Sequence, residues 1–529
     1  MSVGCLITKL LVVLPALLFS SDLLPGGGPL NGRRWTGQRL LEDWGAATAA
    51  EPLVLATAMP ELVAKAEPLL RQAGLTGPLR CIGLVDPAPF REPGALFLPD
   101  PSIGRWSHWR NAEAPAAFSL IGQIHTLSTS SALGHLEALV SEPLHPWDAV
   151  ICSSRAGREV VEAVMVAREQ QLAARSGGNL QRLQSQRPQL PTIPLPVDTK
   201  VLGQGLLGRQ QARQQLGLPV DAHVVVWLGR LSMLTKLDPW PGYALLQRMA
   251  QKLQGPLVFI ECGPDDAPQQ GQHFAQLRQL CPAVRFLRLG GDQPVEESLK
   301  QQALAAADVA LSLVDNTQET FGLALAEAMA AGLPVVASNW NGYRDLVQHG
   351  STGFLVPTRW SPSAPLCSPS LGWQLELGLA PFQMVAGALA QVVQVDGAAA
   401  EAALLALLLD PSLARQMGRQ GQLYAQRHWD RQVVMAAYQE LFDELAECRS
   451  QAPAGAHQPN PLPPRLDPVT CFSSYPGAGA FESPAPGPSP NLVQEGRQPL
   501  IALLSQQLSE CQRVQLRHDL QAKWQGAQL

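Results

Sequence analysis

Short, almost uninterrupted apolar runs recur along this chain, with amphipathic stretches between them. In the first half, residues 53–56, 79–84, 95–98, 117–124 and 147–154 read as strands, and 61–73 and 155–170 carry helical periodicity. Apolar runs without alternation belong to parallel sheets covered on both faces, because a sheet with one wet face alternates. A second series starts at 224–228 and continues at 256–261, 284–287, 309–314 and 335–338, again with helices between. Strand and helix alternating through two series predict two doubly wound, Rossmann-like α/β units. A length of 529 residues accommodates both.

The two ends break this rhythm. Residues 1–21 are apolar apart from Lys9 and a few small polar side chains. They are expected to supply a first buried strand over 11–19, with a targeting segment as the other reading. The run is too short and too interrupted for a membrane span. A glycine-rich loop containing Gly27 and Gly28 follows, then a helical stretch at 33–44. Strand, glycine loop and helix in that order let backbone approach a phosphate or a substrate, although a plain flexible loop has the same composition. Beyond residue 357 the pattern loosens. Residues 360–371 are rich in Ser and Pro and are expected to be a loop or an insertion, while 398–409 and 411–427 read as helices. Residues 450–498 are dominated by Pro, Gly, Ala and Ser and are expected to form a disordered linker. In the tail, 499–529, Leu500, Leu504, Leu508 and Cys511 fall on one helical face, which a partner, a membrane or the chain's own surface could cover.

Composition narrows the classes. A hydrophobic content of 46% supports sizeable cores, and a net charge of −5 argues against broad nucleic-acid binding. The nine cysteines are odd in number and include no C-x-x-C pair, so they read as reduced thiols of a cytoplasmic protein. The ten histidines show no metal-ligand spacing either. Around Gly104-Arg-Trp-Ser-His-Trp-Arg110, and again at Arg33-Arg34-Trp35, arginines interleave with tryptophans. Such a patch suits a sugar-binding platform or a membrane surface; the other reading is tryptophans packed inside the domain with solvated arginines.

One stretch concentrates the chemistry. In SLVDNTQETFGLALAEAMAAGLPVVAS a strand leads through a polar loop to Gly322 and an alanine-rich helix, which Gly332 and Pro334 stop. The first N–H groups of a helix lack intrahelical partners, and the dipole adds positive charge, so an anion is favoured beside Phe321, Gly322 and Leu323. Glu319 and Glu327 flank that position. Carboxylates beside a phosphate site suit sugar hydroxyls better than phosphate. The combination describes a sugar nucleotide.

The pattern E-x-F-G-x-x-x-x-E, followed by AMAAGLPVVAS and then G-Y-R-D-L-V with G-S-T-G-F-L-V-P, resembles the donor site of the family 4 glycosyltransferases. That resemblance implies the bacterial-type GT-B fold, with two Rossmann-like domains facing a cleft. It places an acceptor domain at 1–215, a donor domain at 216–430 and a helix at 431–449 packing back on the first domain. Gly229-Arg230 and Lys236 match the family's G-R-L…K motif, whose cations grip a nucleotide diphosphate; Leu237 stands where the family has glycine. Gly290 and Gly291 fall where its backbone recognises the base, and Gly27 and Gly28 where its first loop faces the cleft. His125, in Gly122-Gln-Ile-His125-Thr, matches a histidine that contacts the donor sugar. Asp265-Asp266 lacks the spacing of a metal-binding pair and reads as a turn.

The implied chemistry is metal-independent transfer of a hexose from a UDP-, GDP- or ADP-sugar, with retention, to a saccharide or lipid-linked acceptor. His125, Arg230, Lys236 and Glu319 are its expected catalytic residues. Glu319 and Glu327 would take the hydroxyls of the sugar and the ribose. A nucleotide-sugar-binding regulator without turnover and an epimerase of the same fold are the rival readings. Peripheral contact with the inner face of a membrane is expected for a lipid-linked acceptor.

Overall fold

The structure is a computed structural model, and it describes residues 14–24, 32–48, 50–204, 206–460, 468–475, 503–504 and 508–525. Six strands build the first sheet: β1 (Ala16–Leu18), β2 (Leu53–Ala56), β3 (Leu79–Ile82), β4 (Ala95–Leu98), β5 (Ser119–Gln123) and β6 (Ala149–Ile151). They run parallel in the order β3-β2-β1-β4-β5-β6. The second sheet holds β7 (His223–Leu228), β8 (Leu257–Cys262), β9 (Val284–Leu289), β10 (Val309–Ser312), β11 (Val335–Ser338) and β12 (Gly353–Val356). Its order is β12-β11-β10-β7-β8-β9, again parallel throughout. In each unit the strand order reverses beside the first strand, and the crevice at that reversal is where doubly wound folds bind ligands.

The apolar runs predicted this burial. Every residue of β2, β4, β5, β8, β10 and β11 is buried. Each sheet carries one core on each face. The helix Arg431–Ser450 crosses to the first sheet, where Tyr438, Leu441, Phe442 and Leu445 pack with Trp44 of the helix Gly32–Thr48. The Tyr438 hydroxyl accepts a hydrogen bond from Gln123 Nε2 at 2.8 Å.

The remaining expectations divide. The expected first strand is present as β1, with only 11–13 of its span among the undescribed residues 1–13; Gly27 and Gly28 also lie outside the described residues. Of its two readings, the Ser/Pro-rich stretch after residue 360 is an insertion with its own helices rather than a loop. It opens a hairpin of helices Ala364–Glu376 and Phe382–Ala390, closed at its base by β13 (Thr358–Trp360) against β14 (Val393–Val395). Leu366, Trp373, Leu377 and Leu379 stand exposed on this hairpin. Chain beyond 450 begins as packed structure, because the amides of Ala116 and Asn460 bond the carbonyls of Ala456 and Asn111. Finally, Arg110 is no surface cation. It is fully buried in an ion pair with Asp148 at 2.5 Å, and Trp109 packs on Phe90 and Phe118. The packing reading of that patch holds for Trp109 but not for Arg110, which is buried rather than solvated.

Candidate active site

The loops at the carboxyl edge of the second sheet are tied to one another by backbone. The amide of Gly229 donates to Cys262 O at 2.9 Å, Gly263 to Leu289 O at 3.0 Å and Leu231 to Pro264 O at 2.8 Å. A Cβ on Gly263 would sit 1.9 Å from Gly229 O, so no side chain fits between these turns. The sheet thereby delivers Arg230 and Lys236 to one wall of a cleft, in positions that little backbone motion can change.

Both cations meet carboxylates there. The Arg230 guanidinium pairs with Asp266, and Lys236 Nζ lies 2.8 Å from Glu319 Oε2. The other oxygen of Glu319 accepts the amide N–H of Gly322 at 3.1 Å, at the start of the helix Leu323–Ala330. Burial pushes the Glu319 carboxyl up, but the Lys236 ammonium and the amides of Gly322 and Phe321 outweigh it, and its pKa lies below the usual value. The expected anion position is therefore occupied at its outer amide by the protein's own Glu319. The next amides, of Leu323 and Ala324, have no acceptor among the described residues, and both residues line the cleft.

Gly322 makes this geometry possible. Its φ of +103° lies in the left-handed region, where a Cβ is strained. A Cβ would also lie 2.3 Å from Tyr343 Cε1.

Glu327, one and a half turns into the helix, is 5% exposed at the cleft floor. Lys300 Nζ lies 3.2 Å from both of its oxygens, and Arg39 of the first domain reaches Oε1 at 3.2 Å. His125 lines the same cleft from the loop after β5. Its carbonyl accepts the Thr320 hydroxyl at 3.4 Å, and Ser154 Oγ donates to Thr320 O at 2.6 Å. Beyond the cleft, Arg155 Nε meets Asp345 Oδ1 at 2.7 Å. These bonds hold the two sheets' loops face to face around a cavity of about 250 Å³. Gly263, Pro264, Pro294 and Val295 also line this cavity.

Of the residues singled out from sequence, His125, Gly229, Arg230, Lys236, Glu319, Phe321, Leu323 and Glu327 line this one cavity. Phe321 itself is 2% exposed and packs on Trp429, so its contribution is backbone. Three participants went unnamed or were read as bystanders. Arg39 and Lys300 belong to helices without a motif, and Asp266 was taken for a turn residue. Cys262 also lines the cavity, but burial pushes its thiol up to about 12, so it stays protonated. Among the described residues no group of three or more His, Cys, Asp or Glu side chains is placed to hold a metal ion.

Two six-stranded parallel units facing a cleft, with the cation-bearing loops on the second, define the class as GT-B. Residues 222–364 match the family model described as "Glycosyl transferases group 1". Over 160 residues the chain is 34% identical to the D-inositol 3-phosphate glycosyltransferase of Thermomonospora curvata, a match covering 29% of this chain and 36% of that one. Over 166 residues it is 35% identical to the protein of the same name from Mycobacteroides abscessus, covering 31% and 34%. The chain thus spans about a third of the length of the curated relatives it matches. Among solved structures it is similar to Anabaena Alr3699/HepE in complex with UDP, with a TM-score of 0.50 and 18% identity, covering 81% of this chain and 100% of that one. That likeness is one of fold.

Proposed function

We propose that this protein is a retaining, metal-independent glycosyltransferase that moves a hexose from a nucleotide sugar to a saccharide or lipid-linked acceptor. One observation carries the reading: Arg230, Lys236, Glu319 and Glu327 of the second sheet and His125 of the first converge on a single cleft. The group 1 match over residues 222–364 covers the loops that carry the first four, and the relatives' names and the UDP complex agree with a nucleotide-sugar donor. On this reading residues 1–215 form the acceptor domain and 216–430 the donor domain. The site is cytoplasmic, with peripheral contact to a membrane when the acceptor is a lipid.

The donor's diphosphate meets the N–H groups of Arg230 that Asp266 leaves free and takes the place of the Glu319 carboxylate now on Lys236. The base packs against Pro294 and Val295, and the ribose hydroxyls reach Glu327. Glu319, released from Lys236, accepts hydrogen bonds from the sugar hydroxyls. As the glycosidic C–O bond breaks, negative charge grows on the diphosphate. Arg230, Lys236 and the amides of Leu323 and Ala324 lower the energy of that charge without reorganising. The acceptor hydroxyl attacks from the leaving-group side, and a departing phosphate oxygen takes its proton, so configuration is retained. His125 lies over the sugar, and the interdomain bonds at Thr320 exclude water.

The test is turnover with a panel of UDP-, GDP- and ADP-hexoses, with product anomer read by NMR. One donor should give a retained product, in EDTA as in buffer, and Arg230→Ala should slow it about 100-fold. An inverted product, or turnover that EDTA abolishes and a divalent ion restores, would refute the mechanism.

A further inference from the structure

Asp266 sits at the carboxyl edge of β8, one strand away from the loop that carries the cations. One of its oxygens takes the Arg230 guanidinium. The other accepts the hydroxyls of Ser232 at 2.9 Å and Thr235 at 3.2 Å. Ser232 in turn fixes the turn that ends at Lys236: its Oγ accepts the Thr235 amide at 3.0 Å, and its carbonyl accepts the Lys236 amide at 3.1 Å. Through its backbone, Asp266 donates to Leu231 O at 3.1 Å. A single carboxylate therefore aims one cation directly and holds the turn from which the other projects.

We propose that Asp266 is a positioning residue for the diphosphate, acting through Arg230 and, by the Ser232–Thr235 turn, through Lys236; this rests on the cleft being a nucleotide-sugar donor site. The chemistry favours that role over competition with the ligand. A guanidinium offers five N–H donors in a rigid fork, so the edge held by Asp266 leaves others for phosphate oxygens. Held in place, the fork loses less rotamer freedom when the diphosphate arrives. Without Asp266 the side chain is free to leave the cleft wall, and the diphosphate must order it.

A double-mutant cycle on free nucleoside diphosphate separates positioning from general support of the loop. Calorimetric titration of UDP, GDP and ADP into the full-length chain first selects the one that binds. For that nucleotide, Asp266→Asn should weaken binding about 10-fold in the Arg230 background. In the Arg230→Ala background the same change should weaken it by no more than about 3-fold, the share carried through Lys236. Equal losses in both backgrounds would overturn the proposal, since they would mean that Asp266 only supports the fold. Unchanged or tighter binding by Asp266→Asn would also overturn it. If the wild-type chain binds none of the three, the reading of the cleft falls and this proposal falls with it.

Discussion

Replacing Gly322 by alanine tests whether the donor loop is built as tightly as its contacts indicate. Two costs are expected. A residue with a Cβ at φ +103° pays about 1–2 kcal/mol in backbone strain. The new methyl would also meet Tyr343 Cε1 at 2.3 Å, Tyr343 Cδ1 at 2.6 Å and Leu346 Cδ1 at 3.1 Å. Tyr343 cannot yield cheaply, because it is 3% exposed and its hydroxyl bonds Ser312 Oγ at 2.9 Å. Overpacking of this kind costs about 1–3 kcal/mol, so the total is about 2–5 kcal/mol. A control isolates the second part. Gly350 also has a positive φ, +79°, but no atom lies within 4 Å of its Cβ position, so Gly350→Ala should show strain alone. Urea unfolding of both variants, followed by tryptophan fluorescence, should place Gly322→Ala about 2 kcal/mol below Gly350→Ala. Equal destabilisation would refute the packing argument.

Two further outcomes follow from burial and from the chain's far end. Asp315 is 3% exposed, and burial pushes its carboxyl up to about 7; burial likewise takes Asp43 to about 6 against the pull of Arg431. Both folded-state values are raised, so the folded chain keeps protons that the unfolded chain has lost, and stability should fall as pH rises from about 4 to about 7. Asp315→Asn, which keeps an acceptor for the Asp238 amide, should match wild type at pH 4 and exceed it at pH 8 by roughly 2–4 kcal/mol in chemical denaturation, and no gain at pH 8 would sink the assignment. A chain ending at residue 460 should melt with wild type, whereas one ending at 448 loses the Arg449 bond to Ser119 Oγ at 2.7 Å and the docking of 456–460, and should be less stable by about 1–3 kcal/mol in the same assay.

What could be read from sequence divides along the range of the interactions. Continuous apolar runs such as 335–338 and 95–98 announce buried parallel strands because burial on both faces leaves no room for alternation. The glycine-to-proline stop after the donor helix is equally local. The helix Ala364–Glu376 was missed because Ser and Pro dominate its start. Yet Pro365 stands in the first turn, where no N–H is required, and only Pro369 lies inside. Arg110 was misread because nothing near it announces Asp148, 38 residues away. Asp266 was dismissed for the same reason. Its turn composition is local, while its meaning comes from β7 and β8 lying side by side. Arg39 and Glu327 are joined only by the facing of two domains, which no spacing encodes.

The central claim is that the cleft between the two sheets receives a nucleotide sugar against Arg230. Melting temperature, followed with saturating UDP-, GDP- and ADP-hexoses on wild type and on Arg230→Ala, tests it most directly. Ligand at 100 times its Kd stabilises by about 2.7 kcal/mol, so one donor class should raise the wild-type Tm by about 5 °C. Arg230→Ala should show little of that rise at the same concentration. No shift with any donor, or the same shift in Arg230→Ala, would contradict the claim.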